Sequence, residues 1–99
     1  MDKKQLRAIG HNLKPVIIVG QKGISETLLA ETNRSLNDHE LIKVKLASSD
    51  RDTRKKQIEA ICESCKAELV QSIGKVALLF RKNSRPNPKT SNLIRGFAD

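Results

Sequence analysis

The sequence predicts an α/β fold: one domain of order α-β-α-β-α-β-β, with a four-stranded mixed sheet packed by three helices. Three observations carry this. Amphipathic stretches at helical spacing alternate with short apolar runs of strand length. Helical segments separate the first three strands, which favours parallel pairing among them through right-handed crossovers. A two-residue break, Gly74-Lys75, divides the last two strand-like runs as a hairpin turn would.

Leu6, Ile9 and Leu13 recur at helical spacing and predict a first helix over residues 3–12, weakened by Gly10 and capped by Asn12. Pro15 forces its predecessor out of helical geometry. Val16-Ile17-Ile18-Val19 is continuously apolar, the pattern of a strand covered on both faces. A second helix follows from about Ile24, with Leu28, Leu29, Thr32 and Leu36 on one stripe. Residues 40–47 alternate, Ile42, Val44 and Leu46 against Lys43 and Lys45, which predicts a strand with one wet face. Ser48-Ser49-Asp50 ends it. A third helix over 52–65 aligns Ile58, Ile61, Cys62 and Cys65, with Thr53 as a candidate cap. Residues 68–73 and 76–81 form the closing hairpin. The domain is assigned to residues 1–82, and residues 83–99 read as a basic, proline-containing tail, an extended arm that Leu93, Ile94 and Phe97 are able to dock onto the body.

Ninety-nine residues suffice for one core, and no apolar run approaches the roughly 18–20 residues that cross a bilayer. The N-terminus opens directly into a helical pattern without a signal-peptide h-region, so a cytoplasmic location is the expectation. Charge is segregated. Residues 1–25 carry a net +4, residues 26–68 a net −1 and residues 69–99 a net +5. Positive ends flanking a neutral middle point to a polyanion, nucleic acid before a membrane surface, with a solvated lysine surface as the plain alternative. There is no Trp or Tyr, and only Phe80 and Phe97 are aromatic. A single-strand platform of stacked bases cannot be built from these, so binding is expected to rest on phosphates and on the shape of a folded or double-stranded partner.

Gly20-Gln21-Lys22-Gly23 lies between the first strand and the second helix. Backbone amides of such a turn, the partial positive charge of a helix N-terminus and the Lys22 ammonium together suit a phosphate. The alternative is a simple turn that needs a positive φ. Neither standard nucleotide-loop pattern is present. Arg51, Arg54, Lys55 and Lys56 crowd the start of the third helix, where cations oppose the dipole and are offset by Asp50 and Asp52. Cys62-x-x-Cys65 sits late in a helix on its apolar stripe, away from the N-terminus that would activate a thiol, and so reads as structural. His11 and His39 lack ligand spacing. No nucleophile triad, carboxylate pair, metal set or cofactor loop stands out, and a non-enzyme without cofactor is expected.

His11-Asn12-Leu13-Lys14-Pro15, the Gly20–Gly23 loop, His39-Glu40-Leu41-Ile42-Lys43-Val44-Lys45, Asp50-Arg51-Asp52-Thr53-Arg54 and Glu68-Leu69-Val70-Gln71-Ser72-Ile73-Gly74 together resemble the CRM domain (chloroplast RNA splicing and ribosome maturation), most closely its bacterial stand-alone YhbY form. The resemblance covers Leu6 to about Arg81. It implies a fold similar to the C-terminal domain of translation initiation factor three, and RNA binding, with precursors of the large ribosomal subunit as partner and subunit maturation as role. Plant relatives carry the domain in group II intron splicing factors. Many relatives end the last strand with Tyr, where this chain has Phe80. KH domains use a similar loop between two helices, so that likeness extends only to phosphate clamping. The candidate RNA contacts are Gly20, Gln21, Lys22, Gly23, Lys14, Arg51, Arg54, Lys55, Arg81 and Lys82, extended by the tail to Arg95. A monomer without membrane or small-molecule partner is the expectation. The rival readings are an architectural DNA-binding protein, a thiol redox protein built on Cys62 and Cys65, and a protein-interaction adaptor on the ribosome.

Overall fold

The computed structural model describes residues 2–93. The elements are α1 (Lys3–Gly10), β1 (Pro15–Val19), α2 (Glu26–His39), β2 (Leu41–Leu46), α3 (Arg51–Cys65), β3 (Glu68–Ile73) and β4 (Val76–Phe80). The strands form one mixed sheet in the order β1-β2-β4-β3. β1 pairs parallel to β2, and β4 runs antiparallel to both β2 and β3. The expected parallel pairing therefore holds for β1 and β2 alone, because β4 inserts between β2 and β3. Composition explains the order. Ala77, Leu78 and Leu79 of β4 are all buried and need cover on both faces. Glu68, Gln71 and Ser72 make β3 tolerant of an edge, and a bulge between Leu69 and Gln71 interrupts its ladder.

α2 and α3 cover one face of the sheet. Ile17, Val19, Ile42, Val44, Leu46, Ala77 and Leu79 meet Leu36, Ile58, Ile61 and Cys65 there. Among the described residues, the other face is covered at one end only. Leu6 of α1 and Leu93 of the C-terminal segment pack with Leu41, Val70 and Leu78. An eight-residue helix spans about 12 Å, less than the strands it lies on, so among the described residues α1 leaves the remaining part of this face uncovered. Val16 and Ile18 are accordingly 50% and 64% exposed, against the expectation that β1 is covered on both sides. A run of aliphatics reports strand propensity, and here it does not report burial.

Local signals account for the ends. Asp2 caps α1 in a capping box with Gln5, and His11, rather than Asn12, closes it by donating to the Arg7 carbonyl. Asp50, rather than Thr53, is the cap of α3. Gly10 is where α1 meets the sheet: a Cβ there would lie 2.6 Å from Leu78 Cδ2. The glycine that weakens the helix locally is what permits its packing.

Past β4 the chain does not leave the body as an arm. Asn83 N–H and the Ser91 hydroxyl donate to the two carboxylate oxygens of Glu40, at 3.0 and 2.7 Å. Thr90 Oγ1 donates to the Asp38 carbonyl, and Asn92 Nδ2 to that of Leu41. The His39 ring nitrogen Nδ1 lies 2.8 Å from the Thr90 carbonyl. Buried Leu93 completes the attachment. Ile94, Arg95 and Phe97 lie outside the described residues.

Replacing Gly10 with Ala is expected to cost about 1–3 kcal/mol through overpacking against Leu78, read as a lowered urea midpoint. Gly20→Ala, in open space, should change it by less than about 0.5 kcal/mol.

Candidate nucleic-acid interface

Because β1 and β2 are parallel, both carboxyl ends reach the same edge of the sheet. Three connections meet there: the turn after β1, the loop from β2 into α3, and the β3–β4 hairpin. Two backbone bonds lock them together, Ala47 N–H to the Val19 carbonyl and Leu46 N–H to the Lys75 carbonyl, each 2.8 Å.

The first connection is the turn Gly20–Gly23, closed by the Gly23 N–H donating to the Gly20 carbonyl at 3.0 Å. Gly23 has φ +79°, which only glycine adopts without strain. Gly20 does not need it, and a Cβ there would meet nothing within 4 Å. The backbone thus requires one of the two glycines, and the other leaves an open approach to the turn. Lys22 is exposed at its tip. Helix α2 starts only after Ser25, whose hydroxyl oxygen accepts from the Leu28 N–H, and Glu26 occupies its first turn. Cap and carboxylate offset the helix's partial charge, so attraction for an anion rests on Lys22 and the turn rather than on the dipole. The turn leans on α3: a Cβ on Gly23 would stand 3.5 Å from Gln57 Nε2. Gln57 Oε1 is buried without a partner among the described residues.

The second connection carries the cations of α3. Asp50 accepts from the Thr53 N–H at 3.1 Å and from its hydroxyl. Those bonds, side chain first, hold the Asp50 carboxyl below the usual carboxylate range. This anchored cap offsets the repulsion between the helix N-terminus and Arg51, Arg54 and Lys55. Arg54 Nη1 donates to the Ser48 carbonyl at 2.9 Å, so its guanidinium is held in place, whereas Arg51 and Lys55 are exposed. The third connection contributes exposed Lys75, beside Gly74 with φ +56°. In the sequence Gly74-Lys75 reads as a turn, with nothing local to give the lysine a role. Only the insertion of β4 beside β2 brings it to this edge.

The structure thus gathers Gly20, Gln21, Lys22, Gly23, Arg51, Arg54 and Lys55 at one edge. Lys14, Arg81 and Lys82 lie at the opposite end, where β1 begins and β4 finishes. Lys14 and Lys82 are exposed there. Arg81 is committed inward. Its Nη1 donates to Asn33 Oδ1 and the Cys65 carbonyl, both at 2.7 Å, and its Nη2 to the Asn33 carbonyl at 2.9 Å and Asn37 Oδ1 at 2.7 Å. With all four Nη hydrogens engaged by neutral acceptors, this guanidinium joins the end of α3 to α2 and is held away from the role of a free phosphate contact.

Cys62 and Cys65 occupy the last turn of α3, Cys65 fully buried. Burial pushes both thiols up from their ordinary value, the opposite of what a redox nucleophile needs. No group of three or more His, Cys, Asp or Glu suited to a metal occurs among the described residues.

Comparison with known proteins matches residues 1–81 to the family model of the CRS1 / YhbY (CRM) domain. A Pseudomonas aeruginosa protein named as a "probable RNA-binding protein" is 55% identical over 93 residues, covering 94% of this chain and 89% of that one. An RNA-binding protein of Haemophilus influenzae is 46% identical, covering 80% of each chain. The solution structure of the hypothetical protein SAV1595 from Staphylococcus aureus superposes with TM-score 0.75 at 32% identity, over 84% of this chain and 86% of that one.

Arg81→Met should destabilise the protein by about 2–4 kcal/mol, since it leaves several part-buried acceptors unpaired, and should appear as a lower thermal midpoint. Both thiols should resist iodoacetamide at pH 7.5 in the folded protein and react on unfolding. A raised folded pKa favours the thiol form, so this contribution to stability is complete below the ordinary thiol value of 9.0 and is lost as pH rises through the folded values. A urea titration repeated between pH 8 and 10.5 should show that decline, and Cys62→Ser/Cys65→Ser should flatten it.

Proposed function

This chain belongs to the CRS1 / YhbY (CRM) domain family, and on that footing we propose that it is an RNA-binding protein that acts in assembly of the large ribosomal subunit by holding structured ribosomal RNA. The observation that carries the reading is the convergence of three separate connections, each contributing cations, on one edge of the sheet: Lys22 from the first, Arg51, Arg54 and Lys55 from the second, Lys75 from the third. Charges on three unrelated stretches of sequence serve no packing purpose together, and their mutual repulsion is relieved by a polyanion. The names of the relatives support RNA as the polyanion.

Mechanistically, the Gly20–Gly23 turn receives a phosphate, with room at Gly20 for close approach and Lys22 supplying the charge. Arg51 and Lys55 continue the track along α3. Lys75 closes it on the far side. These groups bind without reading sequence, because phosphate contacts fix register and carry no base information. Shape supplies the preference for RNA, with the 2′-hydroxyl as the group that distinguishes it from DNA.

The test is a salt titration of binding to a structured fragment of large-subunit ribosomal RNA, with duplex DNA as competitor. About five neutralised phosphates give a log–log slope of roughly −3 to −4. A flat titration, or equal competition by duplex DNA, would overturn the assignment. Lys22→Glu and Lys75→Glu should each weaken binding by about tenfold, leaving the thermal midpoint nearly unchanged because both side chains are exposed.

A further inference from the structure

A cleft of about 810 Å³ separates the first half of α3 from the outer edge of the sheet, within the roughly 300–1,000 Å³ of ligand sites. Ile58 and Leu69 give it an apolar surface, Leu69 being 37% exposed. Arg51, Arg54 and Lys55 line it from α3, Ser72 and Gly74 from the hairpin. Asp52 and Glu59 line it as well. The cleft is continuous with the cationic edge, since Arg51 and Lys55 belong to both.

A phosphate alone would leave the apolar surface wet, and a paired helix is too wide to enter. An acidic peptide would face Asp52 and Glu59. A single nucleotide answers each feature: an apolar planar base, a polar base edge and an anionic phosphate. The missing stacking partner is also supplied. This chain has no Trp or Tyr, but Arg54 is tethered to the Ser48 carbonyl at 2.9 Å, and a guanidinium so held presents a flat face on which a base stacks. Glu59, an acceptor when ionised, suits a base with an exocyclic amino group and disfavours uracil, which has none.

We infer that this cleft receives one unpaired nucleotide of the bound RNA. Its base lies between Leu69 and Arg54, its phosphate faces Arg51 and Lys55, and Glu59 accepts from its amino group. The inference rests on the RNA-binding reading and adds to it what that reading lacks, a place where sequence is read. The RNA class it selects is a helix interrupted by a bulged or looped-out adenine, cytosine or guanine.

The experiment compares three RNA hairpins with the full chain by fluorescence anisotropy at one salt concentration: fully paired, with one bulged adenosine, and with one bulged uridine. The adenosine bulge should bind about tenfold more tightly than either other hairpin, a gain in the range of one stacked base. Leu69→Asp should abolish the gain, read within the variant as the ratio of bulged to paired affinity, so that a charge effect common to both hairpins cancels. Ser72→Glu, at an exposed edge position, should do likewise and decides alone if Leu69→Asp does not fold. Glu59→Gln should bring the uridine bulge level with the adenosine bulge. Equal affinity for bulged and paired hairpins, or a preference that survives in Ser72→Glu, overturns the nucleotide cleft and leaves RNA binding standing. Absence of binding to all three hairpins overturns both.

Discussion

The parallel pairing of β1 with β2 is the constraint on which the rest depends. Had the two strands run antiparallel, the Gly20–Gly23 turn and the start of α3 would lie at opposite ends of the sheet. Parallel strands joined by α2 send both carboxyl ends to one edge, where ligands of open α/β sheets commonly bind. The third contribution follows from register. Lys45 pairs with Val76, so the β3–β4 hairpin turns at that same edge, and Leu46 N–H fastens to the Lys75 carbonyl. A cluster of cations is thereby assembled on backbone that the sheet itself holds rigid, which limits the entropy lost when a partner binds.

The opposite end shows the same residue types doing other work. Arg81 has four oxygen acceptors within 2.9 Å and none of them is charged. Glu40, 3% exposed and at φ +64°, ends α2 in a conformation unusual for a non-glycine residue. Its carboxylate receives Asn83 and Ser91, and its carbonyl accepts from the Arg81 N–H at 2.9 Å. One strained residue thus organises the return of the C-terminal segment. Such strain persists only where surrounding bonds over-determine it, and here two side-chain and two backbone links do so.

Element types and their order were legible because each rests on local periodicity and breaks. The Ile42/Val44/Leu46 alternation and the Ile58/Ile61/Cys65 stripe report their own burial correctly. What escaped is what depends on a second element. Val16 and Ile18 read like core, but a helix as short as α1 does not reach them, and they are exposed. Arg81 reads like a surface cation, and only the meeting of α2 with the end of α3 reveals its acceptors. Of residues 83–93 the docking of Leu93 was legible, and the rest was not, since side-chain amides and hydroxyls rather than an apolar stripe attach it. At the site, the Gly turn and the α3 cations were each visible singly. Lys75 was not, because its place follows from strand order, which no local pattern encodes.

Separating the two ends has an energetic consequence. Cations that must remain available for a partner contribute little to folding, and those that hold the fold are withdrawn from solvent by neutral acceptors. Arg54 stands between these classes, with one nitrogen bonded to Ser48 while the residue lines the cleft. A wholly free guanidinium would lose side-chain entropy of up to about 2 kcal/mol on capture of a ligand, and one bonded like Arg81 has both of its Nη groups already committed. Partial tethering lowers the first cost without reaching the second limit. In a domain whose described residues include a single phenyl ring, Phe80, packed against the other face of the sheet, and whose cleft is lined by neither His nor Phe, that half-committed arginine is the group best suited to hold a planar partner.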